Sequence, residues 1–129
     1  MKATARRTEG YAHALSIRGH ELTVDEPESA GGTDTGPNPQ ELLAASLASC
    51  TAITIEMYAG RKGWTVGTVE VEVDHSSDAP GHARFDVLIK IPEPLPDEQR
   101  NRLQEIAGKC PVHRALTGHV EIRDRIEAG

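Results

Sequence analysis

The sequence predicts an α+β fold in one domain spanning residues 1–129, in which antiparallel strands frame a single long apolar helix. Three observations carry this. Apolar residues alternate with period 2 near the start and again after residue 65, an uninterrupted apolar stretch with a helix-start signal separates the two regions, and Gly- and Pro-rich loops punctuate them.

Taken in order, Tyr11, His13, Leu15 and Ile17 fall on one face of a strand, and Arg18-Gly19-His20 turns the chain into Glu21-Leu22-Thr23-Val24. The stretch from Pro27 through Ser29–Pro37 is a surface loop, because Gly and Pro interrupt it and nothing apolar recurs. Asn38 then offers an N-cap, Pro39 suits the first helical position, where its missing N–H is not needed, and Glu41 stands three residues after the cap. The helix continues past Tyr58 and stops near Gly60 or Gly63, with Arg61 and Lys62 set against the negative end of its dipole. Between Asn38 and Lys62 only Glu41, Glu56, Arg61 and Lys62 are charged, so this helix is expected to be buried on most faces.

A half-exposed strand is expected within Trp64–Val73, where Val69, Val71 and Val73 alternate with Glu70 and Glu72. Ala83–Ile91 is its hairpin partner across a loop containing Pro80-Gly81. After Pro92, Pro94 and Pro96 the chain opens an amphipathic helix with Leu103, Ile106 and Ala107 on one side, ending by Gly108 or Cys110. A turn over Pro111–Leu116 and a last strand over His119–Arg123 complete the expected order.

Composition narrows the function. A net charge of -6 and no basic run longer than Arg6-Arg7 or Arg61-Lys62 argue against nucleic acid as a partner, since phosphate affinity comes from Lys and Arg. The opening residues lack the apolar region of a signal peptide, and no segment is expected to supply the ~20 apolar residues that span a bilayer, so a cytoplasmic location without membrane association is expected. With 37% hydrophobic and 3% aromatic residues, the core must come from Val, Ile, Leu and Ala, and a second copy of the chain is expected to complete it.

The chemistry centres on two cysteines. In a reducing cytoplasm they are poorly suited to a permanent staple, which favours catalytic or redox-sensing roles. Cys50 shares a helix face with Leu43, Ser46, Leu47, Ile53, Thr54 and Met57, a setting equally suited to a buried structural thiol, which burial would make inert without a nearby cation or substrate. Cys110 stands in Gly108-Lys109-Cys110-Pro111-Val112-His113-Arg114, expected near the surface, where three basic side chains either favour the thiolate or simply complement a helix end. Cys110 and His113 have metal-ligand spacing, but Cys50 has no second half-site on its helix, so no metal and no other cofactor is expected. No Gly-x-Ser-x-Gly elbow occurs.

The block from Gly31 to Thr51, containing Asn38-Pro39-Gln40-Glu41 and Cys50, resembles the OsmC/Ohr family of thiol peroxidases, and more narrowly its short OsmC-like branch. So do Arg18-Gly19-His20 and Asp25-Glu26-Pro27 before that block, and Lys109–Arg114 after it. The resemblance covers essentially the whole chain. It implies an OsmC-like α+β fold: an antiparallel sheet with a long buried central helix, built as an intertwined homodimer with active sites at the subunit interface. It implies that Cys50 reduces organic and possibly inorganic hydroperoxides, forming a sulfenic acid that Cys110 resolves as a disulfide. It further implies an external reductant, a lipoyl or other dithiol protein, that restores the thiols by exchange.

The family's better-known peroxidases hold the thiolate with an Arg and a Glu. The usual carboxylate position, ten before the helix cysteine, is Gln40 here, with Glu41 beside it. Nine residues at ~1.5 Å rise exceed ~13 Å, so Glu41 can act on Cys50 only across a dimer. The arginine candidates are Arg7 and Arg18. The alternative is a non-catalytic OsmC-like protein that binds a small apolar or thiol ligand, or senses redox state through the same cysteines.

Overall fold

The computed structural model describes residues Met1–Gly129. It is a mixed α and β chain in the order β1 (Thr4–Glu9), β2 (Ala12–Ile17), β3 (His20–Val24), α1 (Pro39–Lys62), β4 (Glu70–Ser76), β5 (Arg84–Lys90), α2 (Asp97–Ala107) and α3 (Pro111–Thr117). It divides into two compact units, one comprising residues 1–45 and 75–85 and the other residues 46–74 and 86–129.

In the first unit β1, β2 and β3 form an antiparallel meander. The β2–β3 hairpin forms as expected, but its turn is only Arg18 and Gly19, both with positive φ, so His20 already belongs to β3 opposite Ile17, and Leu15 faces Leu22. β1 is an addition to the expected hairpin: its residues are exposed along their whole length, so burial imposed no period-2 pattern on them. The following loop is organised by Asp25, which is 1% exposed. Its carboxylate accepts hydrogen bonds from the Thr33 and Thr35 hydroxyls, both at 2.7 Å, and from the backbone N–H groups of Glu26, Thr33 and Thr35. These donors, led by the two hydroxyls, hold the Asp25 carboxyl well below the usual carboxylate range. Gly32 fits here because any Cβ would run into the Glu26 carbonyl oxygen.

The start of α1 follows the sequence signal. Asn38 Oδ1 accepts from Glu41 N–H at 2.8 Å and Glu41 Oε1 accepts from Asn38 N–H at 2.9 Å, so two of the helix's unpartnered donors are satisfied reciprocally. Its burial corrects the expectation. Only Leu47, Thr51, Ile55 and Ala59 are buried, one residue per turn, while Leu43, Ile53 and Met57 are 39%, 54% and 59% exposed. The single chain lacks the elements needed to cover a helix that is apolar on all sides. The expectation that no segment is long and apolar enough to cross a membrane is also corrected: this 24-residue helix reaches a mean hydropathy of 1.4 over 18 residues. Its interruption by Ser and Thr does not offset Leu, Ile, Ala and Met. Core helices meet the same criterion, and Ile55 and Ala59 of this one belong to the core cluster.

That core joins Ile55 and Ala59 of α1 to Val66 and Val69 of the connection and to Leu103 and Ala107 of α2, with Trp64, Ile89 and Leu95 packed against it. β4 begins at Glu70, six residues later than expected, because Gly67 takes the left-handed conformation (φ 67°) and breaks any strand before it. β4 and β5 pair as a two-stranded sheet. Pro111 does not close α2 into a turn as expected. It opens the separate helix α3 at a first-turn position, where proline's fixed φ suits the helix. The expected strand at His119–Arg123 is absent: residues 119–129 have no regular structure, and Val120, Ile122 and Ile126 are 59%, 79% and 93% exposed. The alternation is there, but a strand needs a ladder partner and the chain supplies none.

Candidate two-cysteine site

The short helix α3 brings the two cysteines into one site. Cys110 is its N-cap residue, extended (φ -63°, ψ 143°), and its Sγ accepts the His113 backbone N–H at 3.3 Å, the place a Ser or Asp oxygen takes in other caps. One residue earlier in the same turn, Val112 turns its N–H toward the Cys50 thiol. Cys110 comes close enough to influence ionisation of the Cys50 thiol, although sixty positions separate them in the chain. Thr51 on α1 adds a hydroxyl 3.8 Å from Cys110 Sγ, and Thr54, one turn on from Cys50, hydrogen-bonds the Cys50 sulfur. Both cysteines are reduced.

Burial reverses the expected settings. Cys110, expected near the surface, is 0% exposed, because α3 continues the chain over it where a solvated turn was anticipated. Cys50, expected deep in a buried helix, is half-buried. Burial is the largest influence on the Cys50 thiol and pushes its pKa up. The Val112 N–H opposes the rise, the neighbouring Cys110 thiol adds to it by hydrogen bond and charge, and Thr54 opposes it more weakly. The strongest of these influences therefore keeps the thiol protonated, while the amide and hydroxyl donors around it favour the thiolate.

The other candidate residues fall elsewhere. Glu41 is committed to the start of α1 through its bonds with Asn38. Arg7 lies on β1 opposite His13, and Arg18 occupies the β2–β3 turn with φ 49°. Both arginines are exposed and belong to the unit that does not contain the cysteines. Lys109 and Arg114 flank the site in sequence, but the hydrogen-bond contacts of the Cys110 sulfur are to the Thr51 hydroxyl and the His113 backbone N–H, and Arg114 meets Cys110 through its backbone N–H on the Cys110 carbonyl. Sequence reasoning placed Thr54 on the helix face of Cys50 but missed Thr51 and Val112. The signal that could have found Val112 is the pair Cys110-Pro111, read as cap and first helical residue instead of a stop.

This geometry permits thiol redox chemistry: an accessible sulfur beside an enclosed one, both in contact with amide or hydroxyl donors. The chain is 25% identical over 95 residues to peroxiredoxin OsmC of Escherichia coli, an alignment covering 69% of this chain and 66% of that protein. It shares its fold with an OsmC-like protein from Mycoplasma pneumoniae (TM-score 0.78, 23% identity, 91% and 86% of the two chains). It also shares it with an organic hydroperoxide resistance protein from Elizabethkingia anophelis (TM-score 0.67, 24% identity, 94% and 91%). With residues 32–123 matching the family described as OsmC-like protein, the chain belongs to that family.

Proposed function

We propose that this protein is a two-cysteine hydroperoxide reductase that acts as a homodimer. The observation that carries the reading is the approach of Cys110 to α1 beside Cys50, where the hydroxyl of the neighbouring Thr51 lies 3.8 Å from Cys110 Sγ. Their unequal exposure supports distinct roles. A peroxide reaches the half-buried Cys50 more readily than the enclosed Cys110. Cys50 thiolate attacks the distal oxygen of the hydroperoxide, the O–O bond breaks, and the alkoxide leaves as alcohol once protonated, with the sulfur oxidised to sulfenic acid. Cys110 then attacks that sulfur and expels water, leaving the Cys50–Cys110 disulfide. An external dithiol, lipoyl or other, reduces it by exchange, attacking Cys50 as the more accessible sulfur. The cycle needs no bound cofactor and suits the cytoplasm, where such dithiols are kept reduced.

The dimer is supported by the apolar surface that the single chain leaves open, Ile53 and Met57 on α1 and Val120, Ile122 and Ile126 at the C-terminal end. It also bears on catalysis, because Cys50 still lacks a positive charge to offset burial. Arg7 and Arg18 are the candidates to supply it, and Glu41 stands to orient one of them across the dimer.

A second reading is favoured by one observation, the raised Cys50 pKa. A thiol that stays protonated reacts slowly, as suits a ligand-binding or redox-sensing protein of the same fold. Stopped-flow oxidation of wild type, Cys50→Ser and Cys110→Ser by an alkyl hydroperoxide separates the readings. The reductase gives a disulfide in wild type, a trappable sulfenic acid in Cys110→Ser and no reaction in Cys50→Ser. Oxidation no faster than that of free cysteine leaves the sensing reading in place.

A further inference from the structure

The buried stripe of α1 runs Leu47, Thr51, Ile55 and Ala59, and one of its members is polar. Thr51 is 2% exposed, and a valine of nearly the same shape would fill its place without burying a hydroxyl. A buried hydroxyl requires a partner, and the one the protein supplies is Cys110 Sγ at 3.8 Å. The mechanism above leaves that hydroxyl unused.

Attack by Cys110 poses a charge problem at this position. The thiolate is the attacking form, and Cys110 is fully enclosed, so bulk water does not solvate the charge that develops on its sulfur. Two groups hydrogen-bond that sulfur, the His113 backbone N–H at 3.3 Å and the Thr51 hydroxyl. The N–H is a fixed donor. The hydroxyl can rotate, accepting from the S–H while the thiol is protonated and donating to the sulfur once the proton has gone. A hydrogen bond to a charged acceptor is roughly twice as strong as one between neutral groups, so this contact tightens as the charge appears. An interaction stronger in the transition state than in the resting state is one that speeds a reaction.

We infer that the Thr51 hydroxyl stabilises the Cys110 sulfur as it attacks during disulfide closure. The S–S bond to Cys50 forms as the S–O bond of the sulfenic acid breaks, and the Cys110 thiol proton ends on the departing hydroxide as water. The Cys110 sulfur is oxidised and the sulfenic sulfur reduced, with Thr51 keeping its own proton throughout. The inference rests on the reductase reading for the origin of the sulfenic acid, but not for the closure itself. Cys110 attacking a mixed disulfide on Cys50, where a thiol leaves in place of water, develops the same charge on the same sulfur.

The test compares Thr51→Val, which keeps the shape and removes the hydroxyl, with Thr51→Ser, which keeps the hydroxyl and removes the methyl group. The first-order rate of disulfide closure is followed after a pulse of alkyl hydroperoxide, and separately from a Cys50 mixed disulfide made with 2-hydroxyethyl disulfide. The expected result is closure slowed by about tenfold or more in Thr51→Val in both formats, the loss of one hydrogen bond to a charged acceptor, with Thr51→Ser within about threefold of wild type. The equilibrium between dithiol and disulfide in a dithiothreitol buffer is the second readout. Both of its end states are neutral at these sulfurs, so Thr51→Val should not move it toward the dithiol. If Thr51 only packs Cys110 in place, rate and equilibrium fall together. Closure in Thr51→Val as fast as in wild type, Thr51→Ser slowed as much as Thr51→Val, or rate and equilibrium falling together overturns the inference. Failure of wild type to form sulfenic acid, while closure from the mixed disulfide still needs the hydroxyl, would overturn the reductase reading alone.

Discussion

Oxidation of the cysteine pair should stabilise the fold, and by an amount that the chain positions set. A Cys50–Cys110 disulfide closes a loop of sixty residues, which in the chain-entropy account removes about 4 kcal/mol of freedom from the unfolded state. Thr51, next to Cys50 on α1, already lies 3.8 Å from Cys110 Sγ, so the cross-link calls for a local adjustment of α1 and α3. Its main local loss is the His113 N–H bond to Cys110 Sγ, an offset of about 1 kcal/mol. A net gain of about 3 kcal/mol remains. For a chain of 129 residues, a urea slope of about 1.5–2 kcal/mol/M converts this to a midpoint about 1.5–2 M higher for the oxidised form. The assay is urea unfolding followed by circular dichroism, with reduced and peroxide-treated protein at one concentration, since a dimer makes the midpoint concentration-dependent. Cys110→Ser treated in the same way should show no gain. An oxidised wild type whose midpoint moves by less than about 0.3 M, or falls, would refute the reasoning by showing that the sulfurs meet only at the expense of native structure.

Four further outcomes are expected. Ile55→Ala, at a site with no exposure, should cost about 2–5 kcal/mol in urea unfolding, whereas Ile53→Asp on the open face of α1 should instead shift the proposed dimer toward monomer in sedimentation. Alkylation of Cys50 by iodoacetamide should be slower than that of free cysteine at pH 7 and rise with pH. Cys110→Ala, which removes two of the influences raising the Cys50 pKa, should speed it. Because Asp25 is more acidic folded than unfolded, its contribution is complete above the unfolded value near pH 3.9. It is lost only as pH falls through the lower folded value, so hydrogen-exchange protection at the Thr33 and Thr35 amides should persist at pH 4 and collapse in stronger acid. Asp25→Asn should weaken that protection at every pH. Gly67→Ala should destabilise by more than about 1 kcal/mol in thermal unfolding, since φ is 67° and the new Cβ would lie 2.9 Å from Pro92 Cγ.

What the sequence made legible follows from which forces are local. The Asn38-Pro39-Glu41 signal located the start of α1, because capping is decided within four residues, and the β2–β3 hairpin was legible for the same reason. The spacing of Leu103, Ile106 and Ala107 identified the buried side of α2. β1 and the C-terminal residues escaped a correct reading for opposite reasons. β1 pairs through its backbone while its side chains stay exposed, and Val120 and Ile122 alternate like a strand without a partner in the chain. The two cysteines were legible as the chemical centre, but their burial was not. Exposure depends on what folds over a residue, and the helix that encloses Cys110 begins at a proline easily taken for a stop. The contacts from Val112 and Thr51 are tertiary and left no mark in local sequence.

The central claim is that Cys50 is a peroxide-reducing nucleophile resolved by Cys110. Its most direct test is the second-order rate at which fully reduced wild type consumes cumene hydroperoxide, measured against free cysteine and against Cys50→Ser. Consumption of one equivalent per chain, far faster than by free cysteine, abolished in Cys50→Ser and leaving a single Cys50–Cys110 linkage in the peptide map, is the result the account predicts. A rate equal to that of free cysteine, or one that survives in Cys50→Ser, would contradict it.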